Sequence, residues 1–172
     1  ADERGFAPEL WAAFGEQGYS ATLVPEAQGG LGLGVAEAGL VAEQIGHTLA
    51  PSPFFGTAVL AAWLLARAGT DAQRKQWLPR IAAAQTVLAL AVDEGRKHRP
   101  DTLATTATRM ADGWRISGTK QLVVDGHVAD ALIVAAQADG GVALLLVPAG
   151  APGLRWPSSS RREQDLGLSP DL

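Results

Sequence analysis

The chain has 172 residues, of which 47% are hydrophobic, and its 14 basic and 18 acidic residues give a net charge of -4. This length and apolar content are enough for one domain or two small ones, and without a run of Lys or Arg no nucleic-acid partner is expected. The absence of cysteine and the scatter of only three histidines exclude disulfides and thiolate metal sites, so no metal site is predicted.

Helical periodicity extends over roughly the first 84 residues. The pattern predicts helices over residues 8–17, 35–49 and 54–68, and a fourth that begins at the T-D-A-Q capping box of residues 70–73. Val41, Ile45 and Leu49 form one apolar stripe on the second helix, whereas the third helix is apolar all round and is expected to be central. Gly69 is expected as a left-handed C-cap, and Pro79 should kink or break the fourth helix.

Strand periodicity follows. Short β-branched and leucine-rich runs predict strands over residues 86–92, 105–110, 114–117, 120–124, 131–136 and 142–147. Turn signals separate them, including Ala111-Asp112-Gly113 and Asp139-Gly140-Gly141. No strand is predicted after residue 156. The chain is therefore predicted to be α+β, with a helical bundle over residues 1–85 and a small antiparallel β-barrel-like domain over residues 86–172 that is incomplete at its end.

The ends of the chain and its apolar stretches bear on its location. The first ten residues lack the basic and apolar regions of a secretory signal. The longest apolar stretch, residues 54–66, is shorter than the about 20 residues that span a bilayer. We therefore expect a cytoplasmic protein without a membrane span.

Three segments carry residues with chemical potential. The glycines at 30, 32 and 34 lack the spacing and the preceding strand of a dinucleotide fingerprint, so a sharply turning structural loop is favoured. Asp93 and Glu94 are adjacent after a strand, where neighbouring side chains diverge, so a solvated strand end is favoured over an acid/base pair. The R-K-H-R run at residues 96–99 leaves two alternatives, contact with phosphates or an exposed loop that balances nearby acids.

The order of the segments resembles that of a known family. Residues 18–34, G-Y-S-A-T-L-V-P-E-A-Q-G-G-L-G-L-G, and the helices that follow are similar to the amino-terminal domain of acyl-CoA dehydrogenases. Residues 115–136, R-I-S-G-T-K-Q-L-V-V-D-G-H-V-A-D-A-L-I-V-A-A, resemble the middle β-domain of that family. The resemblance runs from about residue 15 to residue 156 and implies that the family's carboxy-terminal helical domain is absent.

The resemblance implies a flavoprotein fold in which FAD lies between the middle and carboxy-terminal domains. The family's catalytic glutamate belongs to the last domain, so no catalytic residue is assigned here. The family's T-E-P-x-x-G-S-D segment corresponds to Asp93-Glu94-Gly95-Arg96-Lys97, and its K-x-W-I-T-N segment corresponds to residues 120–125, K-Q-L-V-V-D. An anionic Asp93 beside a flavin would oppose the charge of the reduced ring. Both segments thus depart from the pattern.

By the same resemblance two sets of site residues are expected. The flavin-facing positions are Leu90, Val92, Asp93, Leu122 and Val124. The acyl-pocket positions are Phe55, Gly56, Val59 and Leu60, for which plain core packing is the alternative.

The implied activity is FAD-dependent α,β-dehydrogenation of an acyl-CoA thioester. It comes with an electron-transfer acceptor and with homo- or hetero-oligomerisation among dehydrogenase-like subunits. The departures favour a divergent subunit whose partner supplies the catalytic base and the better flavin site. A non-catalytic scaffold that lost the flavin is the alternative, and an active enzyme with further sequence beyond these residues is a third.

Overall fold

The computed structural model describes residues 4–156 and the backbone of residues 166–168. The chain divides into two compact units, residues 1–88 and residues 89–172. The helices are α1 (Pro8–Glu16), α2 (Val35–Thr48), a π-helix (Phe54–Ala61) continuous with α3 (Ala62–Ala68), and α4 (Asp71–Ala82). The strands are β1 (Leu88–Ala91), β2 (Thr106–Met110), β3 (Gly113–Lys120), β4 (Ala131–Ala138), β5 (Gly141–Pro148), β6 (Leu154–Arg155) and β7 (Leu166–Leu168). The predicted fold class, a helical region followed by a barrel-like sheet, is confirmed.

The fourth helix forms as its capping box predicts. The Thr70 hydroxyl accepts a hydrogen bond from the Gln73 amide at 3.2 Å, and the Gln73 side chain accepts one from the Thr70 amide at 2.9 Å. This reciprocal pair satisfies amide donors that a helix start leaves unpaired. The apolar face packs inward as predicted, with Trp77 and Leu78 buried. A break at Pro79 is not observed, because α4 continues through it to Ala82.

The apolar helix over residues 54–68, which precedes α4, is buried on one face only. Phe54 and Thr57 are buried, but 56% of Phe55 and 42% of Trp63 are exposed, so the helix is not enclosed on all sides as the prediction of a central helix requires. Gly69, moreover, is extended with φ -68° and is not a left-handed cap. A Cβ there would lie 2.6 Å from a main-chain oxygen of the preceding helix turn, so close approach explains this glycine.

The predicted apolar stripe on helix α2 is not buried by other described residues of the first unit. Val41 and Ile45 are half-buried, 85% of Leu49 is exposed, and Ala38 is the buried residue of the helix. The glycine-rich loop before α2 folds back on itself. An added Cβ at Gly30 would lie only 2.0 Å from the Val24 carbonyl oxygen, so the predicted sharp structural turn is confirmed.

The second unit is one sheet with the strand order β1-β4-β2-β3-β7-β6, and β5 pairs with β4. The β2–β3 and β4–β5 hairpins turn through Ala111-Asp112 and Asp139-Gly140, as the turn signals predict. The sheet is mixed and not purely antiparallel, because β2 meets β4 in parallel at Thr106 and Gln137.

Two strand predictions were wrong. Residues 121–124 are not a strand, because β3 ends at Lys120 and the chain turns through Leu122, whose φ is +54°. Strands β6 and β7 were not predicted, although β7 pairs with both β3 and β6. Very short strands carry too few residues to show an alternating pattern. Residues 157–165 and 169–172 lie outside the described residues.

Candidate cofactor and substrate site

A buried lysine joins the strand ends of the second unit. Lys120 closes β3, its side chain is fully buried, and its Nζ donates to the Val92 carbonyl oxygen at 3.0 Å and to Glu94 Oε1 at 2.7 Å. The Glu94 carboxylate also accepts hydrogen bonds from the amides of Ala104 and Thr105, at 2.5 and 2.8 Å. One ion pair therefore ties the end of β1, the approach to β2 and the end of β3 together.

The electrostatics of this pair follow from its burial. Desolvation by itself would raise the pKa of Glu94, but the hydrogen bonds from Lys120 and from the two amides outweigh it and lower the pKa to about 2. Burial lowers the pKa of Lys120, and the bond to Glu94 opposes that shift. The expectation of a solvated strand end was wrong for Glu94, because only 16% of its side chain is exposed and three donors occupy its oxygens.

Asp93 has a different environment from its neighbour. Its carbonyl oxygen accepts a hydrogen bond from the Gln121 amide at 2.7 Å. Its carboxylate, 25% exposed, lies 2.8 Å from Nδ1 of His98. When His98 is protonated, its charge offsets that of Asp93. The two adjacent carboxylates therefore diverge, as the strand geometry predicts.

The structure brings most of the predicted flavin-facing positions together. The bonds from Lys120 to Val92 and from Gln121 to Asp93 hold the end of β1 against the segment that follows β3. Leu122 and Val124 in that segment are 52% and 57% exposed. Leu90 and Val92 are half-buried.

These residues do not fit the hydrogen-bonding scheme that the resemblance implies for FAD. Leu122 and Val124 offer apolar surface without a donor. The carbonyl oxygens of Val92 and Asp93 already accept hydrogen bonds from within the unit. Asp93 adds a carboxylate where a hydroxyl is expected. What remains is an apolar surface against which a ring could pack.

The four predicted acyl-pocket residues all lie on the π-helix of the first unit. Gly56 is buried, Val59 and Leu60 are half-buried, and 56% of Phe55 is exposed. Core packing accounts for the buried position but not for Phe55. The acyl-lining role of these residues stays a prediction.

Sequence reasoning missed the role of Lys120 and of Thr57. A signal existed for the lysine, since the two-residue period that buries Ile116 on β3 also points Lys120 inward. No signal existed for Thr57, whose buried hydroxyl donates to the Leu88 carbonyl and accepts from the Leu88 amide, both at 3.0 Å. That contact joins residues 31 apart in sequence.

Two protein-family models match this chain, and each covers one of its two units. The chain matches the model of the acyl-CoA dehydrogenase N-terminal domain over residues 1–85 and that of the middle domain over residues 89–170. The chain therefore belongs to the acyl-CoA dehydrogenase family, and the resemblance seen in its sequence is confirmed. Within the described residues, no helix has both the length and the apolar character needed to cross a bilayer.

The chain is similar to individual members of this family in sequence and in structure. The chain is similar to acyl-CoA dehydrogenase FadE27 of Mycobacterium tuberculosis, with 37% identity over 88% of this chain and 40% of the relative. Among solved structures it is similar to a variant of the Tcur3481-Tcur3483 steroid ACAD, with 33% identity, a TM-score of 0.90 and 99% and 48% of the two chains covered. The ChsE4-ChsE5 complex of Mycobacterium tuberculosis matches with 33% identity, a TM-score of 0.87 and 98% and 46% covered. The chain thus spans less than half the length of these relatives.

Proposed function

We propose that this chain is a subunit of a hetero-oligomeric acyl-CoA dehydrogenase in which a partner subunit supplies the catalytic base and the donors that hold FAD. The assembly performs α,β-dehydrogenation of an acyl-CoA thioester, and an electron-transfer acceptor reoxidises the flavin. Family membership supports the reaction class. Two of the similar structures, Tcur3481-Tcur3483 and ChsE4-ChsE5, carry names that pair two proteins, which supports the hetero-oligomer.

The environment of Asp93 carries this proposal. A carboxylate beside a flavin disfavours the negative charge that the ring gains on reduction. The neighbouring exposed side chains, Leu122 and Val124, give no compensating donor. A subunit with this surface contributes shape and apolar contact more than electronic tuning, which is consistent with a largely architectural role.

A non-catalytic scaffold is the second candidate. The observation that favours it is that Lys120 and Gln121 already donate to the Val92 and Asp93 carbonyl oxygens, so these main-chain groups are committed to holding the unit together. In that case the fold has been kept for assembly and the flavin has been lost.

A visible spectrum separates the two candidates. We expect the full chain alone to be colourless, and its complex with the co-expressed partner to absorb near roughly 450 nm and to bleach on addition of acyl-CoA. Fatty acyl-CoA and steroid-derived acyl-CoA should both be tried, since a similar structure is named a steroid ACAD. A colourless complex would contradict the dehydrogenase proposal and favour the scaffold.

A pair of variants tests whether this surface faces a flavin. Leu122→Trp with Val124→Thr restores a stacking ring and a hydroxyl, and should raise the flavin retained per complex. The matched control is Leu144→Trp with Val142→Thr on β5, where the same side chains are 42% and 56% exposed. If both double variants retain the same amount of flavin, the flavin does not lie against this surface.

A further inference from the structure

Strand β5 leaves one of its two sides open. It pairs with β4 over its whole length, from Gly141 to Pro148, and in the part of the chain that the structure describes no other strand lies beside it. The main-chain groups on the far side of an edge strand lack a ladder partner and can pair with a strand from another molecule. We call this free side of β5 the β5 edge.

The hydrogen-bonding pattern shows which residues face the β5 edge. The Ala149 amide donates to the Asp130 carbonyl oxygen at 2.9 Å, and this contact continues the register of β4 with β5. Hydrogen-bonded positions alternate along an antiparallel pair, so every second residue from Val147 back to Gly141 bonds to β4. The main-chain groups of the residues in between therefore point outward, and these residues are Val142, Leu144 and Leu146.

The β5 edge lacks the features that keep edge strands apart. Monomeric proteins protect such edges with lysine, with proline inside the strand or with a bulge. The sequence of β5, G-V-A-L-L-L-V-P, has no charged residue, its proline stands at the end, and its register with β4 is continuous. Val142 and Leu144 lie on one face of the strand and are 56% and 42% exposed. Exposed apolar side chains beside free main-chain donors and acceptors favour contact with another strand.

The outward-facing residues are symmetric about Leu144. When two copies of β5 lie antiparallel with a two-fold axis at Leu144, this residue meets Leu144 of the other copy, and Val142 meets Leu146. Each of these pairs joins two outward-facing residues, so each can exchange two main-chain hydrogen bonds. The side chains that meet are aliphatic, and such cross-strand pairs stabilise antiparallel strands. The β5 edge is thus complementary to a second copy of itself.

The distribution of charge also permits this pairing. Each copy has a net charge of -4, so two copies repel each other where their carboxylates meet. The carboxylate closest in sequence to β5 is that of Asp139. The same two-fold register places Asp139 beside Ala149 of the other copy and not beside another acid. The contact therefore brings no like charges together.

We propose that the β5 edge is a homodimerisation surface, through which two copies of this chain join their sheets into one continuous sheet across a two-fold axis. A single strand from each copy is a small contact, so the dimer forms reversibly and depends on protein concentration. The inference does not rest on the proposed function, because strand pairing needs neither a flavin nor a subunit of different sequence.

Sedimentation velocity of the full chain from about 1 to 500 μM tests the proposal, and we expect a concentration-dependent dimer. Leu144→Lys places two ammonium groups opposite each other at the axis and should weaken association about tenfold or more. The matched control, Met110→Lys, adds the same charge at an exposed apolar position of β2 and should leave association within about twofold. Leu144→Trp with Val142→Thr keeps uncharged, strand-forming side chains and should still dimerise.

Cross-linking tests the register. The chain has no cysteine, so a single introduced cysteine gives an unambiguous report. The two cysteines of a Leu144→Cys dimer have Cα atoms about 5.5 Å apart, and a short bismaleimide reagent should join them. The two cysteines of a Val142→Cys dimer are offset by four residues, or about 14 Å, and should be joined much less.

Three results would overturn the proposal: a chain that stays monomeric at every concentration, equal losses of association in Leu144→Lys and Met110→Lys, or equal cross-linking of the two cysteine variants. Cross-linking of Leu144→Cys to a different co-expressed protein, and not to a second copy, would also overturn it, because a strand of that protein then occupies the β5 edge. Thermal unfolding at a concentration where the chain is monomeric verifies that Leu144→Lys folds. The cross-links remain a test if it does not.

Discussion

Replacement of Glu94 by glutamine removes the negative member of the buried ion pair while it keeps the shape of the side chain. Lys120 is fully buried, and after the substitution its ammonium faces only neutral acceptors, the Val92 carbonyl and the amide oxygen of the new glutamine. An unpaired buried charge costs about 3–5 kcal/mol. We therefore expect Glu94→Gln to be among the most destabilising single substitutions in the second unit.

Replacement of the positive member of the pair, Lys120, should lower the free energy of unfolding by less. Lys120→Met leaves the Glu94 carboxylate with two amide donors and with 16% of its side chain exposed, so the loss is about 1–3 kcal/mol. The double variant removes both charges and should lose less than the sum of the single variants, because no unpaired charge remains buried. The expected coupling is on the order of 2 kcal/mol.

Two measurements read out this cycle. Urea unfolding of the full chain gives the change in free energy, and hydrogen exchange at the Ala104 and Thr105 amides reports the local loss of the Glu94 bonds. Glu43→Gln, an exposed carboxylate on α2 that pairs with His47, is the control and should change stability by less than about 0.5 kcal/mol. If Glu94→Gln costs no more than this control, and both amides keep their protection, the assigned role of the ion pair is wrong.

Three further predictions concern acid stability, glycines and a buried hydroxyl. Because the folded pKa of Glu94 is about 2 and its ordinary value is 4.5, its ionised form stabilises the fold above about pH 4.5, and this contribution is lost as the pH falls towards 2; acid titration of Glu94→Gln should lack that component. Gly30→Ala should cost more than about 2 kcal/mol in urea unfolding, since its Cβ would lie 2.0 Å from a main-chain oxygen, whereas Gly39→Ala inside α2, with open space around it, should stabilise by about 0.5–1 kcal/mol; the opposite order would contradict the loop geometry. Thr57→Val keeps the shape but removes both bonds to Leu88, and should lower the free energy of unfolding by about 1–3 kcal/mol, which is measured as a lower thermal midpoint. An unchanged midpoint would show that those bonds are dispensable.

Much of the architecture is determined locally and was predictable from the sequence. The capping box at Thr70 fixes the start of α4, and the Asp139-Gly140 pair fixes a two-residue hairpin, because both depend on residues adjacent in the chain. The order of such segments also pointed to the acyl-CoA dehydrogenase family, which the domain matches confirm. Local patterns gave wrong predictions where groups distant in sequence decide the structure. At residues 121–124 a strand was predicted, but the chain instead turns and is held to the end of β1 by a hydrogen bond from the Gln121 amide to the Asp93 carbonyl.

The sequence by itself determined the two-part fold, the family and the chemical departures at positions 93, 122 and 124. Only the tertiary structure decided that Glu94 is a buried anchor and not a solvated strand end. That outcome needs Lys120, 26 residues away, and the amides of Ala104 and Thr105. Whether a carboxylate is buried and ionised depends on the donors that reach it, and the chain sets those donors through long-range packing and not through sequence neighbours.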